Sequence, residues 1–381
     1  MAEPQAIHLW EEKEDFYVPQ FEVRIRSRKL PQNVVYDVTQ VSYKDSLTEV
    51  DSFEITLSNL WDHATGCFKY SDGPLFDPDP DQELTLWMGY RGTIGLVLMI
   101  TGEINGLRPS FPESGQSTLV VSGQNRLHRL ARRKQVSDTY EKMTDSEMAK
   151  RVAQRLGMKL VIDPNASQKE EKHDYVLQDN QYDIIFLMER ARRIGYEVYV
   201  KEQGENGRAE ENELHFKPSD SVKRRSYILT YGESLIQFTP NLTTANQVEK
   251  VTVRGWDRNK KQPITGTATR AELATRGVGQ AGGQDKLDKA IQGHEEVITD
   301  RPVRSNNDAK QMARQTLENI AKDMVKGSGS TIGLPYLRAG TVVELRGLGR
   351  RFSGHYFVTG TTHTIGDGGY TTQFECRREE K

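Results

Sequence analysis

From Thr341 the chain reads TVVELRGLGRRFSGHYFVTGTTHTIGDGGYTTQFECRR to Arg378, and the same plan occurs earlier, from Glu83 to Arg126, as ELTLWMGYRGTIGLVLMITGEINGLRPSFPESGQSTLVVSGQNR. Each copy opens on alternating apolar positions, Leu84 and Leu86 or Val343 and Leu345, and reaches a glycine turn. Each then runs through a second apolar strand into a matching triplet, Ile100-Thr101-Gly102 or Val358-Thr359-Gly360. Each closes on an alternating strand, Thr118 to Val121 or Thr371 to Phe374, that ends in arginine. Successive side chains of a strand face opposite ways, so period-two alternation punctuated by glycine is the pattern of an antiparallel meander. Two meanders of one plan point to an internal duplication.

Length and composition set the outer limits. A chain of 381 residues is long for one core and is expected to hold two or three domains. Its 52 basic and 54 acidic residues leave a net charge of -2, so no global field favours nucleic acid or an anionic membrane. Local basic runs such as Arg126 to Lys134 are more ordinarily solvated helix faces or strand ends. Two cysteines, Cys67 and Cys376, can supply neither a four-ligand zinc site nor a secreted disulfide framework. The N-terminus lacks the basic and apolar regions of a signal peptide, and no segment approaches the ~20 apolar residues that span a bilayer. A cytoplasmic site of synthesis and folding follows.

The chain in order divides into an arm at residues 1–19, a first small β-barrel or sandwich at 20–135, a middle α+β unit at 136–225, and a second β-barrel domain with a helical excursion at 226–381. The fold class is therefore mainly β, two similar barrels flanking an α+β insert. The first unit should hold strands at Phe21 to Ile25, Val34 to Tyr43 and Phe53 to Leu57, with a turn across Lys44 to Asp51. Thr144-Asp145-Ser146-Glu147 is a capping box before the helical face Met148, Ala149, Val152, Ala153 and Leu156, and Gly157 is the expected left-handed stop. A second helix fits Asn180 to Ile194, with Gly195 as its stop. Short strands follow at Tyr196 to Val200 and Leu214 to Phe216. Strands at Ser234 to Phe238 and Val248 to Trp256 lead into a polar, glycine-rich excursion, with some helix at Lys286 to Ile291. A helix capped by Ser305 then runs to Gly327.

No chemical motif survives its context. Gly277-Val278-Gly279-Gln280-Ala281-Gly282 matches the dinucleotide fingerprint, but the apolar strand required just before it is missing. His294-Glu295-Glu296 begins like a zincin helix, yet Ile298 stands where the second histidine ligand belongs. His355 and His363 fall in the late meander, where a strand-surface role is expected. There is no nucleophile elbow and no P-loop lysine. No catalytic, cofactor-binding or metal-binding residue is assigned, and the balance tips toward a binding or structural protein.

The order of segments resembles the phage late control protein D family, the tail hub proteins of contractile phages, together with the front region of type VI secretion spike (VgrG) proteins. The pieces that carry the likeness are Val38 to Leu57, Asn180 to Gly195, Leu235 to Asp257 and Leu334 to Glu375. Most specific are Ala-Gly-Thr-Val-Val-Glu-Leu from Ala339 and Gly-Gly-Tyr-Thr-Thr-Gln-Phe from Gly368. The likeness runs over about residues 20–378.

This resemblance implies a homotrimeric ring in which three chains present six quasi-equivalent barrels to a sixfold tail tube, above a trimeric spike. The family's longer members continue into a needle; this chain ends at Lys381, so the expected spike is a separate polypeptide. Expected partners are further copies of the chain, the tail tube protein, that spike and other baseplate proteins, without specific nucleic acid, membrane anchoring or cofactors. The expected location is the bacterial cytoplasm during assembly and then the baseplate of a virion or injection particle. Contacts to other subunits are expected at Leu84, Leu86, Tyr90, Val343, Leu345, Tyr370 and Phe374. The rival readings are a peptidoglycan-degrading tail enzyme, and a carbohydrate-binding β module using Trp10, Trp61, Trp87 or Trp256.

Overall fold

In the computed structural model, the described residues are 7–8, 18–47, 49–78, 82–92, 95–125, 134–164, 170, 172–194, 196–203, 210–218, 227–257, 260–274, 291–299, 303 and 305–378. The chain is built mainly of strands. The longer strands of its first part are β1 (Pro19–Ile25), β2 (Val38–Ser46), β3 (Ser52–Ser58), β4 (Glu83–Tyr90), β5 (Gly95–Ser110) and β6 (Thr118–Asn125). The expected early meander is β4, β5 and β6, paired antiparallel with Leu86 opposite Ile100 and Gly102 opposite Asn125. Alternation buries Leu84, Leu86, Met88 and Tyr90 with Phe53, Ile55, Leu119 and Val121 in one core. The expected strand start at Val34 is corrected to Val38. Pro31, at φ -56, opens a single helical turn at Gln32–Val35, because its fixed φ suits a helix start.

The middle unit is an antiparallel ribbon and a small sheet against two helices. The elements are β7 (Gln135–Met143), α1 (Asp145–Leu156), β8 (Lys159–Ile162), β9 (His173–Tyr182), α2 (Asp183–Ile194), β10 (Tyr196–Gln203) and β11 (Glu210–Pro218). Helix α1 has both halves of the capping box, and Gly157 closes it at φ 67. Helix α2 starts at Asp183 rather than Asn180. Asn180 belongs to β9 at φ 47, a left-handed conformation that asparagine tolerates and a helix interior does not. The expected stop at Gly195 lies outside the described residues. Ile184, Leu187 and Ala191 meet Met148, Val152 and Phe216 in the unit's own core.

The last part begins with β12 (Tyr227–Thr230) and β13 (Leu235–Leu242), then β14 (Lys250–Asp257), β15 (Gln262–Thr269), β16 (Glu295–Ile298) and α3 (Asn306–Lys322). It closes with β17 (Val325–Ile332), β18 (Val342–Arg346), β19 (Gly354–Gly366) and β20 (Gly369–Arg378). The excursion is a three-stranded sheet in the order β15-β14-β16, covered on one face by α3 around Val251, Val253, Ile264, Ala309 and Leu317. Gly266 permits that contact: a Cβ there would stand 2.1 Å from the Lys310 backbone nitrogen. The helix expected at Lys286 to Ile291 falls almost wholly outside the described residues. Helix α3 stops at Lys322, short of the expected Gly327, because Val325 already pairs with Leu242 in the sheet.

The two meanders lie in one 14-stranded sheet. Along one edge of β19, residues 354–357 pair with β18, and residues 360–365 pair with β2 of the first unit. The other edge carries β20, β17 and β13 in turn. Ile7–His8 of the arm adds parallel to β12. The two expected barrels are not seen as separate units: both meanders belong to this one sheet, and no closed circuit of paired strands is found among the described residues. Alternation reports which face of a strand is buried and is blind to its distant partner.

Candidate functional site at the junction of the two meanders

In the β2 and β19 pair Tyr43 lies opposite His363 and Asp45 opposite Thr361. Residues directly opposite in an antiparallel pair share a face, so these four polar side chains turn inward together. Tyr43 and Asp45 continue the inward phase of Val41, which is fully buried. The side chain of Asp45 accepts hydrogen bonds from Arg338 Nε at 3.0 Å, from the Ala339 backbone N–H at 3.0 Å and from the Thr361 hydroxyl.

Arg338 sits between β17 and β18 and reaches back into the first unit. Its guanidinium donates to the Tyr43 hydroxyl and, at 2.9 Å, to the Met99 backbone carbonyl. It also lies 4.4 Å from the centre of the Tyr43 ring. Burial opposes its charge, but the fields of Tyr43, Asp45 and Asp51 more than offset that, and its pKa is raised.

Next along β19, the His363 ring is fully buried. Its Nε2 lies 3.0 Å from the Leu337 carbonyl, which can only accept, so Nε2 carries the proton. Nδ1 is then the acceptor, 3.0 Å from the Tyr370 hydroxyl and 3.1 Å from that of Thr372. Burial first, and the Arg338 charge second, push the His363 pKa down to about 3. Thr372 Oγ1 accepts the Leu334 N–H at 2.9 Å, and the Tyr90 hydroxyl donates to the Gly333 carbonyl at 2.9 Å. Gly333 lies against Tyr370 so closely that a Cβ would stand 2.0 Å from its ring. A neutral histidine bonded at both nitrogens and shut off from water is not a general base. The cluster is a lock, in which each unit completes the other's hydrogen bonds.

Outside the lock the same strands turn hydroxyls and amides to solvent. A concave pocket of about 300 Å³ is lined by Lys44, Ser46, Gln237, Ser330, Thr362 and Gln373 among others, with Lys44 bonded to Glu49 at 2.6 Å. Two other buried acids are similarly held. Asp145 binds Arg190 Nε at 2.5 Å and His173 Nε2 at 2.9 Å, and Asp183 binds Arg155. Among the described residues no group of three or more His, Cys, Asp or Glu is placed to hold a metal ion, and no helix is long and apolar enough to cross a membrane.

The seven residues expected at subunit contacts are all 5% exposed or less. Leu84, Leu86, Tyr90 and Tyr370 share the first core, with the Tyr90 and Tyr370 rings 5.4 Å apart. Val343, Leu345 and Phe374 lie in the second core. Their strands turn other residues outward, Thr85 and Glu344 in part and Gln373 fully. The expected surface role of His363 is corrected to a buried one, whereas His355 is exposed. Trp61 and Trp256 are exposed, Trp87 is buried beneath the Arg24 guanidinium, and Trp10 lies outside the described residues. Sequence reading missed Asp45 and Arg338. The available signal was an acid in phase with the inward Val41 and Tyr43, a position that demands a partner.

The sequence profile of the Alg8 N-terminal domain family matches residues 17–367. No curated protein matches the sequence. Among solved structures, a 43 kDa tail protein of prophage MuSo2 from Shewanella oneidensis is similar with a TM-score of 0.68 at 13% identity, over 94% of this chain and 98% of that one. A tail protein from Neisseria meningitidis gives 0.66 at 11% identity, over 95% and 97%. An Escherichia coli component of the type VI secretion system, described as structurally similar to T4 bacteriophage tail proteins, gives 0.54 at 14%, over 93% and 76%. At these identities the likeness is one of fold.

Proposed function

The chain belongs to the Alg8 N-terminal domain family; from its tail-protein-like fold we propose that it is a non-enzymatic baseplate hub of a contractile tail or injection system. The observation that carries this reading is the continuity of two like meanders in one sheet, held by the half-buried Arg338 with the buried Asp45 and His363. Such a chain is a stiff double platform. Three copies in a closed ring offer six like seats, matching a threefold spike below to a sixfold tube above, and ring closure pairs edges that would otherwise invite aggregation. An obligate ring of this kind buries upwards of ~2,000 Å² per interface.

Contact with neighbours falls to the outward residues of the meander strands, such as Thr85, Glu344 and Gln373, since the inward ones are spent on the chain's own cores. Replacing Thr85 or Gln373 by arginine is expected to leave the melting temperature near wild type and to block incorporation into assembled particles. Normal incorporation of both variants would refute the proposed seats.

Peptidoglycan hydrolysis would need a carboxylate pair open to substrate, and Asp45, Asp145 and Asp183 are each bonded to an arginine. Clearing of purified peptidoglycan by catalytic amounts of the protein would overturn the structural reading.

A further inference from the structure

We propose that the outer edge of β13 pairs with β5 of a second copy of this chain, repeating between copies the strand pairing that joins the two units within one. The duplication goes beyond the meanders. Strands pair in the order β2-β3-β6-β5-β4 in the first unit and β13-β17-β20-β19-β18 in the last part. Each order begins on a strand with a bulge near its start, at Thr39 in β2 and at Ile236 in β13. Strand β2 is covered on its far side, because it lies on β19 beyond the end of β18. Its counterpart β13 pairs with β17 alone. The counterpart of β19 is β5, whose residues 104–110 run on past the last pairing with β4 at Glu103 and keep β6 on one side only. One copy thus holds both a strand and a slot that its own chain leaves unjoined.

The backbone phase fits this pairing. In an antiparallel ladder, residues that bond to one neighbour alternate with residues that bond to the other. The Leu47 N–H donates to the Thr359 carbonyl at 3.0 Å, so Asp45, Tyr43 and Val41 are the residues of β2 that bond to β19. The Thr243 N–H donates to the Met324 carbonyl at 3.0 Å, which gives Asn241, Thr239 and Gln237 to β17 and turns Leu242, Pro240 and Phe238 to the outer edge. The Asn59 N–H donates to the Ser117 carbonyl at 2.8 Å, so Thr118 and Val120 of β6 bond to Ser110 and Arg108, and Leu107 and Pro109 turn to the outer edge of β5. Among the described residues no backbone hydrogen bond reaches these edge positions. Within the chain the junction residues Val41 and Ile365 are also core-facing. At the open edges Phe238 packs on the second core and Leu107 on the first, so the two strands can lie side by side with one continuous apolar layer. Leu242 is 38% exposed and Ile236 57%, apolar surface that such a neighbour would cover.

Pro240 and Pro109 have no N–H to turn outward, so the pairing lacks two donors and a lone contact is weak. The same prolines protect both edges from casual pairing with other strands. Because β13 meets β5 rather than another β13, the contact is heterologous, and a rotation that closes turns it into a ring. That the ring holds three copies rests on the hub reading; the strand pairing does not.

The test is disulfide capture between copies of the full chain. In a Cys67→Ser background, chains carrying Arg108→Cys are mixed with chains carrying Gln237→Cys, Thr239→Cys or Asn241→Cys and oxidised mildly. All four positions are exposed and bond away from the shared edge, so they fall where opposed side chains of a ladder stand closest. At least one mixture is expected to give dimers linking one chain of each kind, while neither chain alone does. Leu242→Pro removes an edge donor and none of the bonds to β17, and should lower the yield at least tenfold with the melting temperature near wild type. Native mass of the same samples separates this pairing from the hub reading. No cross-link from any mixture overturns the strand pairing, and leaves the hub standing where the mass is still that of a trimer. Cross-linked chains that never close as trimers uphold the pairing and contradict the ring of three. Cross-links within one kind of chain, or a yield unchanged by Leu242→Pro, overturn the pairing.

Discussion

Arg338→Met removes the charge at the centre of the lock and leaves its volume nearly filled. Asp45, with its side chain 8% exposed, then stays buried without its cation. Breaking a buried pair from one side costs about 3 to 5 kcal/mol, and the lost stacking on Tyr43 falls within that figure. At roughly 2 cal/mol/K of unfolding entropy per residue, this chain should lose about 4 to 6 °C of melting temperature if it melts as one block. Cooperativity should change as well. If the lock joins the two units, urea unfolding followed by tryptophan fluorescence and by far-UV circular dichroism should give one transition in the wild type and two in Arg338→Met. Adding Asp45→Asn to Arg338→Met neutralises the stranded carboxylate while keeping an oxygen for the Ala339 N–H, so the double variant should recover about 1 to 3 kcal/mol. A single variant within about 1 kcal/mol of wild type, or additive effects of the two substitutions, would refute a coupled lock.

His363 gives a pH signature. Its folded pKa of about 3 lies below the ordinary value near 6.5, so the unfolded chain takes up the proton first as pH falls. Its contribution is present above pH 6.5 and is lost progressively toward pH 3, on the order of 3 kcal/mol between pH 7 and pH 4. His363→Gln should flatten that part of the stability profile, measured by urea midpoints across the range. Gly333→Ala should push Tyr370 out of the lock and cost about 1 to 3 kcal/mol by overpacking, seen as a lower urea midpoint. Gly266→Ala should cost at least as much by lifting α3 off its sheet, read as faster hydrogen exchange in the β14 and β15 amides. Thr144→Ala should cost about 1 kcal/mol through the lost cap, visible in the melting temperature.

How far the sequence could be read depended on the distance over which each feature is decided. The capping box at Thr144 and the left-handed Gly157 rest on contacts a few residues apart and both meanders on pairing between successive strands, and local pattern found them. Failures came where a single backbone angle competed with pattern, at Pro31 and Asn180. They came again where partners are remote: Arg338 and Asp45 are 293 positions apart, and Thr361 and Asp45 316. The same blindness hid that the two meanders share one sheet through the pairing of β2 with β19. The seven residues expected at subunit contacts lie in the chain's own cores, and it is their neighbours on the same strands that turn outward.

The most direct test of the hub reading is the native mass of the purified chain, alone and with its spike and tube partners. The account predicts a trimer of about 130 kDa from the 43.3 kDa chain, stable at micromolar concentration or formed on adding the spike. A chain that remains monomeric or dimeric with both partners present would contradict it.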